Sequence, residues 1–146
     1  METILSAINA LIFFLLAATH IYWVMGDGSG MDATIPTDGN GRKLFRPGRG
    51  ITLGVALGLL AFSICNLAFA GWLHIGIEPI YIRYGILLIA ITFLLRAIGD
   101  LKYMGISKRH TQSRFARWDT WLYTPLCLFL AASHGLLYCL LAQHSR

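Results

Sequence analysis

An all-α integral membrane four-helix bundle is the fold this sequence predicts, and three observations carry that expectation. Charged residues make up only 13% of the 146 and apolar residues 56%, whereas a soluble domain is about 25% charged. Three stretches, Thr3 to Gly26, Gly50 to Ile77 and Trp121 to Ser145, contain no Asp, Glu, Lys or Arg. Each exceeds the roughly 20 residues that a helix needs to cross about 30 Å of hydrocarbon. A fourth segment, Pro79 to Gly99, is apolar between Arg83 and Arg96 and spans if those two side chains snorkel. An odd number of spans is the main competing count. By length the chain is a single transmembrane domain, residues 1–146.

The first helix is expected at about residues 4–25. Glu2 and the absence of a basic residue before the apolar run argue for a retained helix rather than a cleaved signal peptide. The following loop places Gly26, Gly28, Gly30, Gly39 and Gly41 among aspartates, a pattern of successive turns. Its far end, Arg42-Lys43-Leu44-Phe45-Arg46-Pro47-Gly48-Arg49, is basic. Helix 2, about 50–72, carries Gly50, Gly54 and Gly58 at every fourth position with Ala61 a turn further on. That stripe predicts close helix packing, because association in lipid depends on close backbone approach. Ala131 and Gly135 give the last helix a shorter version. A short connection leads to helix 3, about 79–99, and a second basic loop leads to helix 4, about 120–141, with Asp119 as its expected N-cap. Helix 1 ends in Val24-Met25-Gly26-Asp27 and helix 3 in Ala97-Ile98-Gly99-Asp100, a faint echo of hairpin duplication.

The two basic loops lie on one side of the membrane, since two spans separate them. They hold nine of the twelve Lys and Arg residues: Arg42, Lys43, Arg46, Arg49, Lys102, Lys108, Arg109, Arg114 and Arg117. The positive-inside rule therefore predicts cytosolic loops and both termini on the non-cytosolic side. Tyr22, Trp23, Trp72, Tyr81, Trp118, Trp121 and Tyr123 fall where interfacial aromatic belts belong.

Polar residues within a span cost free energy and need a partner or a function. His20, Arg96, Asp100, Asp119 and Tyr123 fall at the same, cytosolic, end and form the candidate polar site. Arg96 and Asp100 are four apart on one helix face, and Asp100 sits where the helix C-terminus disfavours a carboxylate. Arg96 is thus expected to pair with Asp100 or Asp119, with His20 within reach. The structural reading is capping plus an ion pair that ties helix 3 to its neighbours. The functional reading is a pocket for an anionic or hydroxylated lipid-like molecule. Asn9, Asn66 and His134 form a second polar layer in the other half, which interhelical hydrogen bonds explain.

No metal site is expected. The three cysteines, Cys65, Cys127 and Cys139, lack ligand spacing and read as buried small hydrophobes, and His20 has no second ligand at i+3 or i+4. His20 and His134 differ in depth by about 15 Å at helical rise, so a haem fits only if two His20 residues share it across a dimer. No cofactor can be named. No Asp or Glu lies mid-span, which argues against proton-coupled transport, and phosphate-loop, zinc-helix and serine-elbow motifs are missing. In the third loop Tyr103, Phe115 and Trp118 alternate with cations. Anionic inner-leaflet lipids are the expected partner there, and nucleic acid is not.

Taken together, His20-Ile21-Tyr22-Trp23, Arg96-Ala97-Ile98-Gly99-Asp100, and Phe115 with Asp119 and Tyr123-Thr124-Pro125-Leu126-Cys127 resemble a family of small bacterial four-helix membrane proteins catalogued as a domain of unknown function. The resemblance covers nearly the whole chain and implies the bacterial inner (cytoplasmic) membrane. It brings no activity with it. The first hypothesis is an accessory or lipid-contacting protein, self-associating or serving as a partner subunit. The second is an enzyme or binder acting on an isoprenoid, quinone or lipid, with His20 and Asp100 or Asp119 as acid and base. The third is an oligomeric channel or transporter.

Overall fold

The structure, a computed structural model, describes residues 1–26, 34–37, 42–45, 47–99, 102–106, 108–109, 111 and 113–144. Among the described residues five α-helices follow one another: α1 (Glu2–Met25), α2 (Arg49–Phe69), α3 (Pro79–Ile98), α4 (Arg114–Trp118) and α5 (Thr124–His144). A π-helical turn, Asp119–Tyr123, joins α4 to α5, so that Arg114–Leu141 forms one continuous span. With Glu2–Met25, Arg49–Phe69 and Pro79–Ile98 this makes four helices long and apolar enough to cross a membrane. The chain is a multi-pass membrane protein. Among the described residues β-pairing is confined to an isolated bridge between Thr37 and Lys43. The turns expected around Gly28, Gly30, Gly39 and Gly41 lie outside the described residues.

Helix ends follow local chemistry. Pro79 occupies the first turn of α3, where its missing N–H is no loss. The fourth span begins at Arg114, six residues before the expected Thr120, because Ser113 caps it by accepting the Ala116 N–H at 3.0 Å. Asp119 is therefore not the N-cap; it lies inside the helix. The π turn precedes Pro125, and Thr124 N–H reaches back to Asp119 O. A wider turn at that point gives room for the proline ring, which would otherwise press on the carbonyl four residues back.

The helices pair in sequence. α1 lies along α2, and α3 lies along α5, with lesser contact between α2 and α3 and between α1 and α5. Phe13 is fully buried where the pairs meet, within 5.6 Å of Phe62, 5.4 Å of Phe93 and 5.6 Å of the His134 ring. Ala17, Leu59, Ile89 and Leu130 complete this core. The outer faces are as apolar as the inner ones: Leu11, Phe14, Leu15, Leu57, Leu88 and Leu95 are all exposed. That is the pattern of helices solvated by lipid. The two pairs do not repeat their turn geometry. Gly26 ends α1 at φ −108°, whereas Gly99 ends α3 at φ +74°.

The glycine stripe of α2 does not pack as the sequence suggested. The buried face of α2 is Thr52, Ala56, Leu59, Ser63 and Asn66, about half a turn around the helix from Gly50, Gly54 and Gly58 at 100° per residue. A Cβ on any of those glycines would meet no atom within 4 Å, and Gly135 is equally open. The physical reason is hydrogen bonding. Ser63 and Asn66 need partners once desolvated, and turning that face inward supplies them, while the glycines have no polar side chain to satisfy. Within the described spans the tight glycine is Gly85, where a Cβ would lie 2.7 Å from the Cys65 sulfur.

Candidate functional site

At the loop-rich end of the α3–α5 pair, a carboxylate is enclosed. Asp119 has no solvent exposure. Its Oδ1 accepts Arg96 Nη2 at 3.0 Å, and its Oδ2 accepts Gly105 N–H at 2.9 Å, Lys108 Nζ at 3.0 Å and Thr124 Oγ1 at 3.2 Å. Four donors thus converge, among the described residues, on a group with about four acceptor positions. Two of the donors are cations, which makes these hydrogen bonds short and strong. The Lys108 side chain is only 6% exposed, and that of Arg96 31%.

Each donor arrives for a local reason. Arg96 is in the last turn of α3, where a cation complements the helix dipole. Gly99 then turns the chain at φ +74° and Gly105 at φ +91°, conformations that L side chains rarely adopt. The backbones cross so closely that a Cβ on Gly99 would strike Met104, and one on Gly105 would strike Ile98. Ile106 N–H bonds back to Ala97 O at 3.0 Å, and Lys108 Nζ also donates to Gly105 O at 3.2 Å. The loop is thereby folded under the end of α3, with its Gly105 N–H and Lys108 ammonium aimed at Asp119. Thr124, at the end of the π turn, adds its hydroxyl from the same helix.

Of the residues singled out from the sequence, Arg96 and Asp119 meet as an ion pair. Tyr123 lies beside them but packs its ring on Phe115, at 6.1 Å between centroids; its neighbour Thr124 provides the hydroxyl to Asp119. Asp100 lies outside the described residues. Among the described residues, no hydrogen bond or ion pair joins His20 to the cluster. Its Nδ1 lies 2.7 Å from Leu16 O, and its ring stands against Trp23, both on α1. The cause is the pairing of helices: α1 follows α2, while the cluster is built by α3, the loop after it and the fourth span. Lys108 and the Gly105 N–H were not visible in the sequence as partners, because nothing distinguishes Lys108 from the other cations of its loop.

A second polar group is buried in the other half. Ser6 Oγ donates to Asn66 O at 2.8 Å, and Ser63 Oγ to Ala10 O at 2.9 Å, joining α1 to α2. His134 Nδ1 is 2.7 Å from Leu130 O and must donate to it, so Nε2 carries the lone pair that accepts Asn66 Nδ2 at 3.1 Å. Ser133 Oγ reaches Asn9 Oδ1 at 3.2 Å, linking α5 to α1. Asn9 Nδ2 is buried without a partner among the described residues. Among those residues, no group of three or more His, Cys, Asp or Glu is placed to hold a metal ion.

On the outer side of the fourth span, Arg114, Arg117, Trp118 and Trp121 line an open groove of about 570 Å³. It faces away from the buried Phe115, Ala116 and Asp119 of the same segment.

Residues 13–134, from the core phenylalanine to the buried histidine and including the whole Asp119 cluster, match the family model described as "Protein of unknown function (DUF3995)". The chain belongs to this family. No curated protein and no solved structure matches it.

Proposed function

We propose that this protein is a non-enzymatic, lipid-contacting membrane protein of the bacterial inner membrane, with both termini outside and the Asp119 end at the cytosolic leaflet. The observation that carries this reading is the enclosure of Asp119. A general base needs a lone pair open to its substrate, whereas this carboxylate is unexposed and takes four donors. Its role is that of a clasp, holding the loop after α3 against the start of the fourth span. The separation of His20 from the cluster counts against the alternative, an acid–base enzyme acting on an isoprenoid, quinone or lipid. The orientation is supported by the nine cations of the two loops, and anionic inner-leaflet lipids are the partners that such loops attract.

Reporter fusions after Arg46 and after Lys108, with impermeant thiol labelling of single cysteines at the same points in intact cells, test the reading. Both sites are expected to be cytosolic and unlabelled from outside. Labelling of either from the periplasm would overturn the orientation and the leaflet assignment together.

A further inference from the structure

The groove on the fourth span has a chemistry of its own. Arg114, Arg117, Trp118 and Trp121 recur at the i, i+3, i+4 and i+7 spacing that places residues on one helix face. Trp118 is 44% exposed and Trp121 83%, and both guanidinium-bearing residues are exposed as well. The depth of this face follows from length. The span Arg114–Leu141 has 28 residues and rises about 42 Å, which matches the roughly 40–45 Å of a bilayer with its headgroups. Arg114 and Arg117 therefore stand at headgroup level, with Trp121 a turn deeper, where indoles settle between water and hydrocarbon.

We infer that this face is a binding site for the phosphate headgroup of an anionic phospholipid. Guanidinium groups bind phosphate oxygens in pairs of parallel hydrogen bonds, and two of them one turn apart present a fork to a single phosphodiester. Trp118 and Trp121 wall the groove with flat amphipathic surface that suits the glycerol and upper acyl region. The carboxylate nearest in sequence, Asp119, does not oppose an anion there, because it is buried on the inner face and held by Arg96 and Lys108. The clasp thus has a consequence for the groove. It fixes the rotation of the fourth span so that the arginines point outward.

This inference rests on the lipid-contacting reading but not on the direction of insertion. Native mass spectrometry of the full chain in mild detergent, titrated with phosphatidylglycerol or with phosphatidylcholine of the same acyl chains, tests it. The wild type is expected to retain phosphatidylglycerol preferentially. Arg114→Gln with Arg117→Gln should weaken that retention by roughly fivefold per arginine, the worth of one basic residue at an anionic surface. Arg42→Gln with Lys43→Gln, loop cations outside the groove, should weaken it by clearly less. Equal loss in both double variants, or none in the first, would overturn the site while leaving lipid contact standing. No preference for phosphatidylglycerol in the wild type would overturn both. Trp121→Leu, at an exposed position, separates the groove from simple charge attraction: unchanged retention would overturn the walled site. Glycerol phosphate that occupies the groove as well as the lipid does would overturn the lipid assignment.

Discussion

The two buried polar groups of this bundle differ in kind. At the loop end the group is ionic, one carboxylate between two cations, closed by a backbone N–H and a hydroxyl. In the other half it is neutral, built from Ser6, Ser63, Asn66, Ser133 and His134 with no formal charge. The difference teaches where a membrane helix can hold charge. Near the headgroups an ion can keep partial hydration, and the Arg96 side chain, 31% exposed, is open enough for it. Further in, a charge would lose all of it, and hydroxyls, amides and an imidazole give directional bonding at much lower desolvation cost. The ionic group also reaches across 23 residues of sequence to fold a loop, while the neutral one joins helices directly.

The largest expected effect comes from breaking the ionic group. Asp119→Ala leaves Lys108 and Arg96 without their shared counter-charge, and removing one partner of a buried pair costs about 3–5 kcal/mol. Unfolding by titration of a denaturing detergent into mixed micelles should show this loss. Adding Lys108→Met should recover part of it, since an uncompensated cation is then gone; no recovery would mean that the Lys108 contact contributes little.

Asn66→Ala tests the neutral group. It strips His134 of a partner while Ser6 keeps the backbone carbonyl of residue 66, and side-chain hydrogen bonds in membrane bundles average about 0.6 kcal/mol, with a maximum near 1.7. A loss of about 1 kcal/mol is expected in the same titration. A loss as large as that of Asp119→Ala would erase the contrast between the two regions.

The smallest effect is expected at Gly54→Leu, which puts a side chain where no atom lies within 4 Å. Stability should stay within about 0.5 kcal/mol of the wild type, as for other exposed positions. A larger loss with oligomeric state unchanged would show that the bundle packs through this face after all. Loss of an oligomer seen in the wild type, with monomer stability kept, would place self-association on it.

Three of the four spans were legible because hydrophobic length is a one-dimensional property, and the remaining one, Pro79–Ile98, needed only that Arg83 and Arg96 snorkel. A charge-free run of 20 or more residues has one stable arrangement in a bilayer, whatever its neighbours do. The start of the fourth span was less legible. Arg114 and Arg117 read as loop residues, yet Ser113 caps a helix that carries them, and the π turn before Pro125 keeps it continuous. The periodicity of Gly50, Gly54 and Gly58 was real, but a stripe of small residues does not say which side of a helix faces inward. That choice belongs to Ser63 and Asn66, whose interhelical hydrogen bonds exist only once α1 and α5 are beside them. In the same way, sequence identified Arg96 and Asp119 as charges in need of partners. Which groups answer depends on rotation and pairing of the helices, and those are set by contacts between residues far apart in the chain. Pairing α1 with α2 keeps His20 on its own helix, and the crossing at Gly99 and Gly105 delivers Lys108 instead. Composition determined that this chain lives in a membrane; only three-dimensional packing, through the demand that every desolvated polar group find a partner, decided which of its residues meet.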